Sequence, residues 1–410
     1  MVEFAAQVVL GESETLIGSL RFTRSGQRQF SIFGYDPSWT GNPRAFAIQP
    51  SLALDAGPFH ASGQAGNLPD ALAGALADSA PDSWGRRLLE QTYGAGLSEF
   101  EYLTMSDDTC RQGALRFQDD AGQIMRGRNT NAVPRLLDLQ EITAIARTYE
   151  QGGDISAADM QTLAGAAGSG GARPKANVRD GDTLWLAKFT SVYDQQPVER
   201  VEIATLKLAQ SCGIRTPEAR LELAETPFPV ALIQRFDRRG RARIPYISAR
   251  TALGKTGSQL GSYTEIVDFM RSYAPDPAAD FRELFLRLAF TILVSNKDDH
   301  LKNHGFLYVG AGRWRLSPVF DVNPAPDRNP YLETAILEGG GHERSIALAL
   351  EASEFFEIAE AEARQMIRDT AQRINAEWRG ALRDVGVTGS LARTYEPAFV
   401  NDQTELALGM

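Results

Sequence analysis

Cysteine is nearly missing from this 410-residue chain: Cys110 and Cys212 stand about a hundred residues apart with no C-x-x-C pair, which excludes a disulfide scaffold and a cysteine-held structural zinc. Histidine is as scarce, with four in all, His60, His300, His304 and His342. No apolar run reaches the roughly 20 residues that a membrane-spanning helix needs, the longest lying around Leu288 to Val294. Met1-Val2-Glu3-Phe4 carries no basic stretch, and with so few cysteines we expect a cytoplasmic, reducing setting and no membrane partner. Positive charge is in deficit: 42 Lys+Arg against 52 Asp+Glu leave a net −10, which argues against a free-standing polyanion binder. No internal repeat and no G-x-x-x-x-G-K-[ST] phosphate loop is found.

What the chain does have is 43% hydrophobic and 23% charged residues, enough for a real core in two or three compact units. Short alternating segments, Gln7 to Leu10, Ile17 to Phe22 and Phe30 to Phe33, predict a β-rich front, with a hairpin turn at Ser25-Gly26-Gln27. Helical composition follows at Ala71 to Ala80, after Pro81-Asp82-Ser83, and at Leu136 to Glu150. A Gly-rich run from Gly165 to Gly171 precedes two strand-like segments, Ala176 to Arg179 and Thr183 to Phe189, joined by the turn Asp180-Gly181-Asp182. Val198 to Cys212 has helical periodicity with Gly213 in the stop position, and Phe228 to Phe236 reads as a strand. The rear is helical, at Phe281 to Val294 and Glu351 to Leu382, the latter apolar at Phe355, Ile358, Met366, Ile367, Ile374 and Trp378.

The stretch richest in chemistry is Ser295-Asn296-Lys297-Asp298-Asp299-His300-Leu301-Lys302-Asn303-His304. Asp298 and Asn303 have the D-x-x-x-x-N spacing of a phosphotransfer loop, in which the Asp takes or orients the attacking hydroxyl and the Asn holds Mg²⁺. Leu316-Ser317-Pro318-Val319-Phe320-Asp321 would deliver a second metal oxygen, and Mg²⁺ needs only one or two from the protein. Two other readings stay open here: Asp298, Asp299 and Asn303 capping a helix end, or His300 and His304, spaced i,i+4, sharing a helical face with Asp299 to hold a hydrolytic metal. Lys188, on a strand with apolar neighbours, is the candidate cation for nucleotide phosphates, and Glu202 on the next helix is preferred over Glu199 as its partner. The bland alternative is a Lys188 that snorkels from an edge strand. Gly168, Gly170 and Gly171 would let backbone amides approach phosphate oxygens, with Arg173 or Lys175 adding charge, unless the run is a linker. The basic segment from Arg235 to Arg241 reads as a solvated hairpin tip with ion pairs, or a contact for an acidic partner.

Ser169-Gly170-Gly171-Ala172-Arg173-Pro174-Lys175, Ala187-Lys188-Phe189, Arg235-Phe236-Asp237-Arg238, Asp298 to Asn303 and Ser317 to Asp321 together resemble the HipA family, the serine/threonine kinase toxins of bacterial HipBA toxin–antitoxin modules. Tyr35-Asp36-Pro37-Ser38-Trp39, Asp82 to Arg87 and Gly113 to Phe117 resemble that family's N-terminal domain, so the similarity runs from about Ile17 to about Trp378. The resemblance implies an α+β, two-lobed protein-kinase-like fold: a β-rich N-terminal domain over residues 1–125, a nucleotide-binding part over 150–235 and a helical lobe over 236–400. It implies ATP and Mg²⁺ as cofactors, Asp298 as catalytic aspartate, Asn303 and Asp321 as metal ligands, and Lys188 on the phosphates with Glu202 beside it. Ser169, Gly170, Gly171, Ala172 and Lys175 would line the phosphates, His300 would lie against the nucleotide, and Gln234 and Phe236 would offer backbone groups to adenine. Gln234 stands where the family often has Glu. Ser169 is the autophosphorylation candidate, displaced by one from Gly168, the position that aligns with the family's serine. The implied partners are a HipB-like helix-turn-helix antitoxin, which would bring DNA only indirectly, and a protein substrate such as an aminoacyl-tRNA synthetase. A metal-dependent phosphohydrolase and a silent kinase-fold scaffold are the alternatives.

Overall fold

The computed structural model describes residues 1–127, 132–168, 171–327 and 331–410. The chain forms two compact units, one of Met1–Tyr193, Ile233–Ile247 and Gly310–Gly312, the other of Asp194–Leu232, Ser248–Val309 and Arg313–Met410. Among the described residues no helix is long and apolar enough to cross a membrane.

The first unit is built on a sheet of β1 (Val2–Leu10), β2 (Thr15–Ser25), β3 (Arg28–Tyr35), β4 (Phe59–Gly63) and β5 (Leu115–Gln118), in the order β4-β3-β2-β1-β5. Every neighbour is antiparallel, with Phe4 opposite Phe22 and Phe22 opposite Ser31. Side-chain alternation turns Ala6 and Val8, Leu20 and Phe22, and Phe33 to the core. Gly18 is demanded by close approach: a Cβ there would meet the Gly34 carbonyl at 2.4 Å. Helix Glu99–Met105 sets Phe100 against Phe4 and Phe22 of the sheet, with ring centroids 5.1 and 5.8 Å away, and Ser98 starts it in a capping box with Glu101; helix Ser83–Tyr93 buries Trp84 and Leu88, Trp84 lying 5.5 Å from the Tyr149 ring. The segment predicted helical at Ala71 to Ala80 holds only one short turn, Gly74–Ala77. Gln49 accounts for part of that, because its Oε1 accepts from the Ala75 N–H at 2.7 Å and fixes the entry of the turn. Further along, β6 (Lys175–Asp180) and β7 (Thr183–Phe189) pair as the expected hairpin, with Gly181 at φ +57° in its turn.

The segment Arg235 to Arg238 departs from the solvated tip expected of it. Asp237 is 1% exposed and accepts from the Gly113 amide at 2.7 Å, from Arg235 Nε at 2.8 Å and Nη2 at 2.6 Å, and from Arg238 Nη1 at 2.7 Å. Arg235 also reaches Asn177 Oδ1 at 2.8 Å, and Arg238 the Arg111 carbonyl at 2.6 Å. Burial alone would raise the Asp237 carboxyl, but the two guanidinium groups hold it far below the ordinary carboxylate range. The polar segment is a buried knot tying the chain at 235–238 to residues 109–113, and only Arg239 to Ala242 remain as an exposed tip.

In the second unit the helix Val198–Ser211 ends where Gly213 takes φ +85°, as its stop position required. Helices Tyr263–Tyr273, Pro277–Leu293 and Glu360–Asp384 form the core with Phe281, Leu284, Phe285, Leu288, Ile367, Ile374 and Trp378 buried. The rear helix begins at Glu360, later than the expected Glu351. Residues Ala352–Phe356 form a 3₁₀ turn and Glu357 sits at φ +57°, which buries Phe356 and Ile358 and leaves Phe355 47% exposed. A continuous helix would put those neighbours on a different stripe, so burial overrides periodicity here. The α+β architecture, sheet-rich at the front and helical at the rear, agrees with the sequence.

Candidate active site

In the first unit the two-residue turn at Gly181 and Asp182 fixes the hairpin register, and Lys175 comes to lie directly opposite Lys188. Opposed residues of an antiparallel pair point to the same face. Both lysines are buried, at 5% and 8% exposure, so two cationic side chains share one sheltered face. The end of the Gly-rich run is held beside them. Trp84 Nε1 donates to the Lys175 carbonyl at 2.9 Å, Arg87 to the Ala172 carbonyl at 2.8 Å, and the Gly171 amide to Asp82 Oδ2 at 3.0 Å. Gly171, at φ +75°, lies close enough to the Lys175 ammonium that a Cβ would contact Nζ at 3.4 Å. Gly168 packs on Asn177, where a Cβ would fall 2.3 Å from Nδ2. Ser169 and Gly170, singled out for phosphate contact and autophosphorylation, lie outside the described residues. Gln234 ends the strand Val230–Gln234, the next amide, Arg235, donates to the Leu184 carbonyl at 2.9 Å, and Phe236 packs against Tyr246 at 6.1 Å between ring centroids.

The second unit holds the remaining candidates. Glu202 is 2% exposed in the helix Val198–Ser211, and Glu199, one turn earlier, is buried with it. Asp298 follows the helix Pro277–Leu293 in an irregular loop, its side chain 62% exposed. Asn303 Nδ2 donates to the Asp298 carbonyl at 2.6 Å, which closes the D-x-x-x-x-N spacing into one turn and leaves Oδ1 as the amide's ligand atom. Neither residue caps a helix: the short turn Leu301–Asn303 begins at His300 without a side-chain cap. His300 Nε2 lies 3.5 Å from Asp298 Oδ1. His304 is buried, its Nε2 3.1 Å from the Asp299 carbonyl, and burial pushes it down to about 4. The two histidines flank a 3₁₀ turn and do not share a helical face, which removes the geometric basis of the hydrolytic-metal reading.

The segment carrying Asp321 is stitched to this loop. Asn296, 3% exposed, accepts on Oδ1 from the amides of Asp298 and Asn323, each at 3.3 Å, while Ala325 N–H donates to the Ser295 carbonyl at 3.1 Å. Upstream, Ser317 N–H donates to Gly305 and Val319 N–H to Arg215, each at 2.8 Å. Asp321 itself, half-buried, sits at φ +54°, a left-handed conformation uncommon for a residue with a side chain and often found at functional positions. Asp298, Asn303 and Asp321 therefore belong to one loop cluster, and its oxygen donors, a carboxylate and an amide carbonyl, suit a hard divalent cation.

Sequence reasoning missed the residue that organises this cluster. Asp299 is 2% exposed; its carboxylate accepts from the Glu333 amide at 2.8 Å and from the Tyr263 hydroxyl at 3.2 Å, and its carbonyl from Thr334 Oγ1 at 2.6 Å. Burial raises its carboxyl to about 7 against the pull of those donors. The double acid at 298–299 was visible in the sequence; the partners more than thirty residues away in the chain were not.

The HipA N-terminal domain family matches residues 6–118, and the HipA-like C-terminal domain family matches residues 167–378, more than half of the chain. A chain of the Shewanella oneidensis MR-1 toxin–antitoxin complex of HipA, HipB and operator DNA has the same fold, with a TM-score of 0.71 over 99% of this chain and 98% of that one, at 16% identity. Among curated proteins, one of Haemophilus influenzae named provisionally as a kinase is 29% identical over 31% of this chain, and one of Sinorhizobium fredii, named in the same way as kinase Y4dM, is 24% identical over 52%. The chain spans about half the length of these curated relatives, 42% and 56%. With both domain families matched in order and the fold shared along nearly its whole length, the chain belongs to the HipA family.

Proposed function

We propose that the chain is an ATP- and Mg²⁺-dependent serine/threonine protein kinase that acts as the toxin of a toxin–antitoxin pair, with residues 1–125, 150–235 and 236–400 as its N-terminal, nucleotide-binding and catalytic parts. The observation that carries this reading is the loop cluster in which Asn303 closes on the Asp298 carbonyl while the Asp321 segment is tied alongside through Asn296. It leaves an exposed carboxylate beside two oxygen donors, the minimum that positions a hydroxyl and holds one cation. Asn303 and Asp321 would hold Mg²⁺, which would supply positive charge to offset that of the phosphates. Asp298 orients the acceptor hydroxyl and takes its proton as its oxygen bonds to the γ-phosphorus and the bond from that phosphorus to the β,γ-bridging oxygen breaks, releasing ADP. Lys175 and Lys188, paired across the hairpin, offset charge on the phosphates from a sheltered face where each contact counts for more than in water. Glu202 is the carboxylate assigned to orient Lys188, His300 lies beside Asp298 and against the nucleotide, and the Gln234 to Phe236 backbone receives adenine.

The Shewanella oneidensis HipA was solved with HipB and operator DNA, and we assign this chain a HipB-like antitoxin as partner, with DNA reached only through it. The target is a cytoplasmic protein of translation, an aminoacyl-tRNA synthetase being the class the family points to, and its inhibition would arrest growth. The test is phosphoproteomics after induced expression of the intact chain and of Asp298→Ala. Phosphoserine or phosphothreonine on a translation protein should accumulate with the first and not the second; identical phosphoproteomes would refute the proposal.

A further inference from the structure

Asp321 reaches the loop cluster at the end of a run that leaves the strand Arg313–Leu316, all within the second unit. Three alternate residues of that run are held by one charged cluster. Arg315 Nε lies 3.6 Å from Asp280 Oδ1, Arg287 Nη2 donates to the Ser317 carbonyl at 2.6 Å, and the Val319 N–H donates to the Arg215 carbonyl at 2.8 Å. Asp280 and Arg287 stand on the helix Pro277–Leu293, whose C-terminal end leads into the loop of Asp298 and Asn303. One helix therefore carries the catalytic loop at its end and the hold on the Asp321 run along its side.

Glu283 joins the cluster's parts. Positions 280, 283 and 287 share a helical face, and the Glu283 carboxylate accepts from Arg287 Nη2, from Arg215 Nε and, at 3.3 Å, from the Arg215 amide. Arg287, 3% exposed, thus bridges Glu283 to the Ser317 carbonyl through one nitrogen. Arg215 bridges Glu283 to Val319 through its own backbone, amide on one side and carbonyl on the other. Burial alone would raise the Glu283 carboxyl, but Arg287 and Arg215 hold it below its ordinary value, so it stays charged. In such a cluster desolvation offsets much of the attraction, and what it contributes most is fixed geometry. A hard cation held by only two protein oxygens depends on that geometry.

We propose that Glu283, acting through Arg287 and Arg215, is a positioning residue for the metal site: it sets the run that ends at Asp321, so that Asp321 and Asn303 hold one cation together. The proposal rests on the kinase reading and adds the residues that place its metal ligand. The probe is Mn²⁺, which takes oxygen ligands as Mg²⁺ does, titrated into the full chain with and without ATP and followed by electron paramagnetic resonance. ATP binding with and without Mg²⁺ is measured on the same proteins by calorimetry. Glu283→Gln keeps the shape but removes the charge and one acceptor oxygen, and Arg287→Met frees the Ser317 carbonyl. Each should weaken Mn²⁺ binding by about 10- to 100-fold while metal-free ATP affinity stays within about twofold. Arg287→Lys, which keeps the charge, should recover part of the loss. Arg215→Ala, whose side chain is 41% exposed and whose backbone still anchors Val319, should weaken Mn²⁺ binding by about threefold, and it carries the test if the buried variants do not fold. Unchanged Mn²⁺ affinity in the variants that circular dichroism shows folded overturns the proposal, as does an equal loss of ATP affinity with and without metal, the mark of a merely structural role. Weakened Mn²⁺ binding in the variants, with no ATP binding by any of the proteins, upholds the positioning role and sinks the kinase reading; metal-dependent ATP binding that the variants leave unchanged does the reverse.

Discussion

Asp237→Asn tests the buried knot of the first unit. The substitution keeps the shape of the side chain and deletes its charge. Two guanidinium groups, with side chains 10% and 6% exposed, then lose their counter-charge, and the new amide nitrogen faces donors where the two carboxylate oxygens together accepted four hydrogen bonds. Breaking a buried pair by removing one partner costs about 3–5 kcal/mol, because the survivor stays desolvated. For a unit of roughly two hundred residues, at about 2–4 °C per kcal/mol, the first calorimetric transition should fall by about 6–20 °C. Arg239→Ala, on the exposed tip two residues away, should change stability by no more than about 0.5 kcal/mol. The pH dependence has a definite sign. Because the folded carboxyl lies far below its ordinary value, its contribution is present above the unfolded pKa near 3.8 and is lost as pH falls below it, so the gap between wild type and variant should close in acid. A variant whose transition stays within about 2 °C of wild type at pH 7 would refute the assignment of this segment as a structural knot.

Lys188→Ala and Lys175→Ala should each weaken MgATP binding by about 10- to 150-fold, the worth of a charge-assisted hydrogen bond, read by calorimetry; unchanged affinity in both would remove the hairpin from the nucleotide site. Asp299, raised from 3.8 to about 7 by burial, contributes stability that is complete below its unfolded pKa and is lost as pH rises through 7. Urea midpoints at pH 5, 6 and 7 should therefore show wild type losing about 1.4 kcal/mol per pH unit relative to Asp299→Asn, and parallel curves would contradict this. Gly18→Ala should destabilise the front sheet by about 1–3 kcal/mol, since its Cβ would strike the Gly34 carbonyl, and denaturation midpoints check it.

Local signals carried the hairpin. Asp180-Gly181-Asp182 located the turn, and a turn so placed implies that Lys175 faces Lys188, a pairing available from register alone. The helix from Val198 and its glycine stop were equally local, as was the D-x-x-x-x-N turn, which a single amide closes within five residues. Elements decided by distant neighbours stayed hidden. Arg235-Phe236-Asp237-Arg238 has the composition of a surface turn, and only the approach of the chain at 109–113 makes it interior. Asp299 reads like Asp298 in the sequence, yet Tyr263 and Glu333 bury one and leave the other exposed. Of the two apolar positions the pattern places at the start of the rear helix, Ile358 is buried and Phe355 is not; Phe356, which the pattern passes over, is buried instead, because of a left-handed turn at Glu357 that no periodicity announces.

The most direct test of the central claim is transfer of label from γ-³²P-ATP to protein in a host lysate, with Mg²⁺, by the purified chain and by Asp298→Ala. The intact chain should label a discrete protein on Ser or Thr, and the variant should be slower by about 10²–10⁴-fold while still binding MgATP. Near-native labelling by Asp298→Ala would contradict the account.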